Sequence, residues 1–160
     1  MKSVIEVSGN ACFCLKRIAK KVALDVITIM GQPNCLEVSI SFVSEEEIKR
    51  LNLEFRNIDK VTDVLSFPST TVKAGNVLDV ESEEILFLLN DSSHIHFGDI
   101  AICLKRLKDQ AKEYGVKTKQ ELKKLVIHSM LHLMGYDHIK DSDYEIMNKK
   151  EIELDNLINI

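Results

Sequence analysis

The sequence predicts an α+β fold: one small domain spanning residues 1–160, with helices packed on one mixed sheet. Three observations carry this expectation. A chain of 160 residues suits one hydrophobic core. Segments with a helical period and segments that alternate every second residue are interleaved along it. No repeat, low-complexity tract or linker divides it.

The elements follow in order. Residues 11–30 read as an amphipathic helix. Leu15, Ile18, Ala19, Val22 and Val26 form its apolar stripe, and Lys16, Arg17, Lys20 and Lys21 face away. Gly31-Gln32-Pro33 ends it. In residues 36–43, Leu36, Val38, Ile40 and Phe42 alternate with Glu37, Ser39 and Ser41, the pattern of a half-buried strand. Ser44 and Glu47 have capping-box spacing, and the helix behind them runs to about Phe55 with Ile48, Leu51 and Phe55 inward. Residues 56–68 form a loop and then a short strand, Val64 to Phe67, closed by Pro68.

The polar, acidic stretch 69–84 reads as a surface loop. Residues 85–89 (ILFLL) and 99–103 (DIAIC) read as two more strands, joined by a hairpin connection over 90–98. His94 and His96 in that connection form an H-x-H pair, read as a solvated loop feature. A basic helix from Leu104 to Tyr114 stops at Gly115. Thr118 with Glu121 opens the next helix, and Ser142 with Glu145 opens the last, whose apolar side carries Tyr144, Met147, Leu154 and Ile158. The predicted order is α-β-α-β-β-β-α-α-α.

Composition sets limits on function. No apolar run approaches the roughly 20 residues of a membrane span. The N-terminus, MKSVIEVSGN, lacks the apolar core of a signal peptide, so the expected location is the cytoplasm. Cys12, Cys14, Cys35 and Cys103 make no C-x-x-C pair and read as reduced core thiols. A net charge of −4 argues against indiscriminate coating of nucleic acid. Residues 101–124 nevertheless carry eight Lys/Arg against three acids. Such a strip is commonly a solvated helix face, and beside a hydrolytic site it is also where a phosphate backbone would lie.

The stretch HSMLHLMGYDH, residues 128–138, carries the chemistry. His128 and His132 stand one helical turn apart on one face. Gly135 supplies a positive φ that ends the helix and lets His138 return toward them. Three neutral imidazoles around one point form an open tetrahedral site for one Zn²⁺ ion, with the fourth position left for water. The expectation is a metal-dependent hydrolase.

The same spacing occurs in metzincin peptidases, which carry a glutamate after the first histidine as general base. Here that position is Ser129, which cannot take a proton from water as a carboxylate does. Zinc lowers the pKa of bound water to about 7, so hydrolysis does not require that base. A phosphodiester substrate would also need a cation for the charge that develops on it. Arg56 is the candidate. From the residues alone the leading reading is a helix-end arginine facing the negative dipole, the commoner use. Asp137 reads as a turn cap or as a carboxylate orienting a ligand. Asp63 reads as a brace for the loop before the strand or for Arg56.

Taken with LNLEFRNIDKVTDVLSFP (51–68) and FGDIAIC (97–103), the histidine stretch resembles the YbeY family of bacterial endoribonucleases. The three blocks stand in that family's order. The resemblance implies a zinc-dependent, single-strand-specific endoribonuclease of the cytoplasm. Its partners would be ribosomal RNA, the small ribosomal subunit and assembly factors, and not DNA. Its role would be maturation of ribosomal RNA, especially the small-subunit 3′ end, and ribosome quality control. It also implies that His128, His132 and His138 are metal ligands and that Arg56 is the functional arginine. Two positions depart: Ser129 stands where the family usually has glycine, and Val61 where it often has proline.

Overall fold

The computed structural model describes residues 2–91 and 93–160. Among them the order is β1 (Val4–Gly9), α1 (Phe13–Ile29), β2 (Leu36–Val43), α2 (Glu45–Arg56), β3 (Val64–Pro68), α3 (Glu83–Asp91), β4 (Ile95–Cys103), α4 (Leu104–Glu113), α5 (Thr118–Leu133) and α6 (Asp141–Leu157). The strands form one mixed sheet in the order β1-β2-β4-β3. β1 and β4 both run parallel to β2, and β3 runs antiparallel to β4 on the edge. This is the α+β class that the sequence predicts.

The alternation of β2 is the sheet's organising signal. Leu36, Val38, Ile40 and Phe42 point into the main core, and the residues between them stay half-buried. That core is completed by Leu15, Ala19, Val22 and Val26 of α1 and by Leu122, Val126, Met130 and Leu133 of α5. A smaller cluster on the opposite face joins Ile48 of α2 to Leu65, Ala101 and Cys103. α5 therefore runs through the middle of the protein, buried on most of its circumference.

Three expectations are corrected. Residues 85–89 lie in a helix, α3, and not in a strand. A short apolar run fits either state by periodicity. The topology decides, because both edges of β4 are already paired, by β2 and by β3. The hairpin connection over 90–98 also fails, since β4 begins at Ile95 and continues through Gly98; Ser92 in that stretch lies outside the described residues. Finally, β1 precedes the first predicted helix. It is an edge strand in which only Ile5 is buried, so its pattern is weak.

Of the three predicted caps, Ser44 stands and the other two are displaced. Ser44 Oγ does accept from Glu47 N at 3.2 Å, but the Glu47 carboxylate pairs with Arg50. The cap of α5 is Lys117, whose N–H donates to Gln120 Oε1 at 3.0 Å. Glu121 is instead buried, which raises its carboxyl pKa. α6 takes Lys140 as its N-cap, two residues before the predicted Ser142. Of its predicted apolar side, Met147, Leu154 and Ile158 are buried and Tyr144 is exposed.

Two glycines bring the segments of the site together. Gly98 lies on a β-bulge of β4. A Cβ there would stand 2.6 Å from Phe67 O and 2.7 Å from Leu133 Cδ2, so its absence lets the end of α5 approach the sheet. Gly135 has φ +82°, and a Cβ there would lie 1.9 Å from Val72 O. Only glycine meets both demands.

Candidate metal centre

The direction of the histidines is set by core packing. Leu125, Val126, Ile127, Met130, Leu131 and Leu133 are buried and fix the rotation of α5. His128 and His132 then fall on its half-buried face. The helix closes with Tyr136 N donating to Leu131 O (3.0 Å) and Gly135 N to His132 O (3.0 Å), a glycine-terminated stop. Buried Tyr136 anchors the turn. Asp137 Oδ1 accepts from His138 N at 2.7 Å, so one oxygen of its carboxylate is engaged with the turn that carries the last histidine.

The three imidazoles converge. One ring nitrogen from each of His128, His132 and His138 lies within 4.8 Å of the others. His132 Nδ1 is 2.9 Å from Tyr136 O. A carbonyl only accepts, so Nδ1 carries the proton and Nε2 presents a lone pair. His128 Nδ1 stands 2.5 Å from Glu151 Oε1, which orients that ring in the same sense. The two Nε2 atoms then face each other at 3.1 Å. Tetrahedral zinc with Zn–N near 2.05 Å places its nitrogens roughly 3.3 Å apart. Two lone pairs at this distance repel unless a cation or an added proton lies between them. Burial opposes the proton: it lowers the His132 pKa to about 4, helped by the neighbouring His128 and opposed by the Tyr136 carbonyl. The donor set therefore fits a metal ion.

The histidines line a cleft of about 1050 Å³. Arg56 lines the same cleft, although 72 residues separate it from His128 in the chain. α2 ends at Asn57, which takes a left-handed conformation (φ 57°). The following loop is tied back by buried Asn52, whose Nδ2 donates to Lys60 O at 2.9 Å. Arg56 makes no ion pair among the described residues. Asp63 does not hold it: its carboxylate accepts from Val64 N (2.8 Å) and Gln110 Nε2 (3.1 Å), bracing the loop to α4.

Other sequence expectations disperse. Ser129 is fully buried and does not reach the cleft. Of the eight basic residues in 101–124, only Lys124 lines the cleft. Lys105 pairs with Asp109 and Glu45, and Lys123 is bound to the end of α6 through Asp155 and Ile158 O. His96 is paired with Asp99, and His94 with Ser93 and Lys2 O. All four cysteines are free, but only Cys103 is a core thiol: Cys35 is half-buried, and Cys12 and Cys14 are exposed. Among the described residues no other histidine, cysteine or carboxylate group clusters as the triad does. Lys124 is the one member of the predicted basic strip that reaches the cleft, and Glu151, which meets His128, is a cleft position absent from the sequence expectations. Lys124 stands at i−4 from His128, which places both on one face of α5. Glu151 has no such local relation, because it meets His128 only through the packing of α6 on α5.

This fold and site define a class of protein: a small α+β chain with a three-histidine site, able to hold one metal ion, on the floor of an open cleft. Comparison gives the family. The family model described as Endoribonuclease YbeY matches residues 8–159, and the chain belongs to that family. Relatives called Endoribonuclease YbeY include those of Finegoldia magna (43% identical, covering 84% of this chain and 76% of the relative) and Thermoanaerobacter sp. strain X514 (40%, covering 91% and 89%). The Clostridium acetobutylicum relative is 46% identical over 78% of this chain and 76% of its own. The solution structure of TM1509 from Thermotoga maritima matches with a TM-score of 0.60 and 28% identity, covering 96% of this chain and 87% of that one. No helix among the described residues is long and apolar enough to cross a membrane.

Proposed function

We propose that this chain is a single-domain, zinc-dependent endoribonuclease that cuts single-stranded RNA. Its cellular role is maturation of ribosomal RNA, notably the small-subunit 3′ end, and ribosome quality control in the cytoplasm. The observation that carries the reading is the presence of Arg56, free of any ion pair among the described residues, in the cleft floored by the three histidines. Family membership supplies the substrate class.

In this reading His128, His132 and His138 hold one Zn²⁺. When bound, the ion supplies a water pKa near 7 and polarisation of a phosphoryl oxygen. The chain does the rest. Glu151 and the Tyr136 carbonyl fix two ligand rings in the tautomer that turns Nε2 inward. Arg56 pairs with the scissile phosphate and offsets the charge that grows on its oxygens. Lys124 offers a second cation one helical turn from His128 and guides a neighbouring phosphate. The exposed side of His138 leaves the site open to substrate, as an enzyme requires and a structural metal site does not. Burial of Ser129 removes it as a peptidase base.

The test is cleavage of a defined single-stranded RNA with and without chelator, with identification of the product ends. Cleavage that stops with chelator and returns with zinc supports the reading. Cleavage indifferent to metal, or strong cleavage of casein, overturns it.

A further inference from the structure

α6 contributes five residues to the cleft: Asn148, Glu151, Ile152, Asp155 and Asn156. None is a cation. The two carboxylates among these five are engaged, Glu151 with His128 and Asp155 with Lys123. The side formed by α2, β3 and the loop between them differs: it offers Arg56 with the hydroxyl-bearing Thr62 and Ser66, and its one carboxylate, Asp63, accepts from Val64 N and Gln110 Nε2. A phosphate is drawn to the second side and meets carboxylates on the first. The uncharged parts of a nucleotide have no such conflict.

The remaining chemistry of the α6 side fits bases. Ile152 and Ile139, the latter in the turn that leads into α6, expose 56% and 82% of their surfaces while lining the cavity. Apolar surface at the mouth of a nucleic-acid cleft packs against base faces. Asn148 and Asn156 are exposed, and neither side chain makes a hydrogen bond among the described residues. Each amide presents donors and an acceptor side by side, the arrangement that base edges complement. They sit four residues either side of Ile152, so about 12 Å of one helix face carries amide, isoleucine and amide in a row. Unstacked bases of single-stranded RNA expose both faces and edges to such a surface.

We infer that the α6 face of the cleft, Asn148, Ile152 and Asn156 with Ile139, contacts the bases of the RNA strand and sets the preferred nucleotides beside the cut. The Arg56 side holds the phosphates. The inference rests on the endoribonuclease reading.

The experiment uses the full chain loaded with zinc and a randomised single-stranded RNA pool, with product ends sequenced. Wild type is compared with N148A/N156A and with I152A, and metal content is measured for each. The expected result is unchanged metal content and continued cleavage, with the base preference flanking the cut flattened at least about fivefold in the amide variant. I152A should raise KM with little change in kcat. An unchanged base profile in both variants overturns the inference and leaves the endoribonuclease reading intact. Wild type that cuts no RNA in the pool overturns that reading first and this inference with it. Loss of protein partners in I152A without any change in KM or base profile also overturns it, and marks the isoleucines as a protein contact.

Discussion

The two parts of the cleft are held in different ways. The histidine floor is built from buried α5, a glycine stop that tolerates no side chain, and a carboxylate from α6 whose helix is pinned by the nearly buried Lys123. The Arg56 arm is the exposed last turn of α2 and a loop tied back by the buried Asn52 amide and braced to α4 by Asp63. Ordering a metal site demands sub-ångström placement, and the core supplies it. Contacting a mobile phosphate strand demands charge more than fixed position, and an exposed arginine supplies that. The comparison predicts that lesions in the floor appear as lost metal, whereas lesions in the arm appear as lost rate with metal retained.

The largest effect is expected for His132→Ala. Metal content by elemental analysis should fall to background and RNA cleavage to the level of a chelated wild type, with circular dichroism unchanged. Full activity in a metal-free variant would break the zinc mechanism. The same substitution has a signature in acid. The His132 pKa is about 4 in the fold against 6.5 ordinarily, so the unfolded chain binds the proton first. Stability of the metal-free protein therefore falls as pH drops from about 6.5 toward 4. Urea melts across that window should show a shallower slope in His132→Ala.

Arg56→Ala comes next. Loss of a group that offsets transition-state charge typically lowers kcat by about 10²–10³-fold. Metal affinity should not change. Arg56→Lys should restore part of the rate, because charge is kept and the bidentate fork is lost. A metal defect in Arg56→Ala would erase the distinction between arm and floor.

Glu151→Ala sharpens the floor. Removing a group that orients a ligand histidine costs about 10–100-fold in metal affinity. Competition with a chromogenic chelator measures it. The expected variant regains activity at high zinc, which a catalytic base would not.

How much of this was legible in the sequence follows the same division. The histidine triad, the glycine stop and the alternation of β2 were legible because each is local: the relation is fixed within about one strand or a few helical turns. Arg56 was legible only through the family resemblance, since nothing within its helix distinguishes it from an ordinary C-terminal arginine. Glu151 was not legible, because it lies 23 residues from His128 and meets it through helix packing. The run ILFLL misled because a short apolar stretch carries no period of its own, and which sheet edges are free depends on the whole topology. β1 was missed for a related reason. It is stabilised by pairing with β2 and buries only Ile5, so its evidence lies in another strand.

The smallest predicted effect tests the arm most directly. Asn52 is buried, and its Nδ2 reaches Lys60 O while its own carbonyl accepts from Ile58 N at 3.2 Å. Asn52→Ala removes the side-chain bond, leaves a partly buried carbonyl short of one donor, and should cost about 1–2 kcal/mol. The backbone contact to Ile58 survives, so the loop loosens without being released. Arg56 then samples more positions, which should lower kcat/KM several-fold with metal affinity at the wild-type value. Thermal melts, metal competition and single-turnover cleavage together separate these outcomes. If metal affinity instead falls with the rate, the loop after α2 and the histidine floor act as one unit, and Asp63, which ties that loop to α4 through Gln110, becomes the residue through which they are joined.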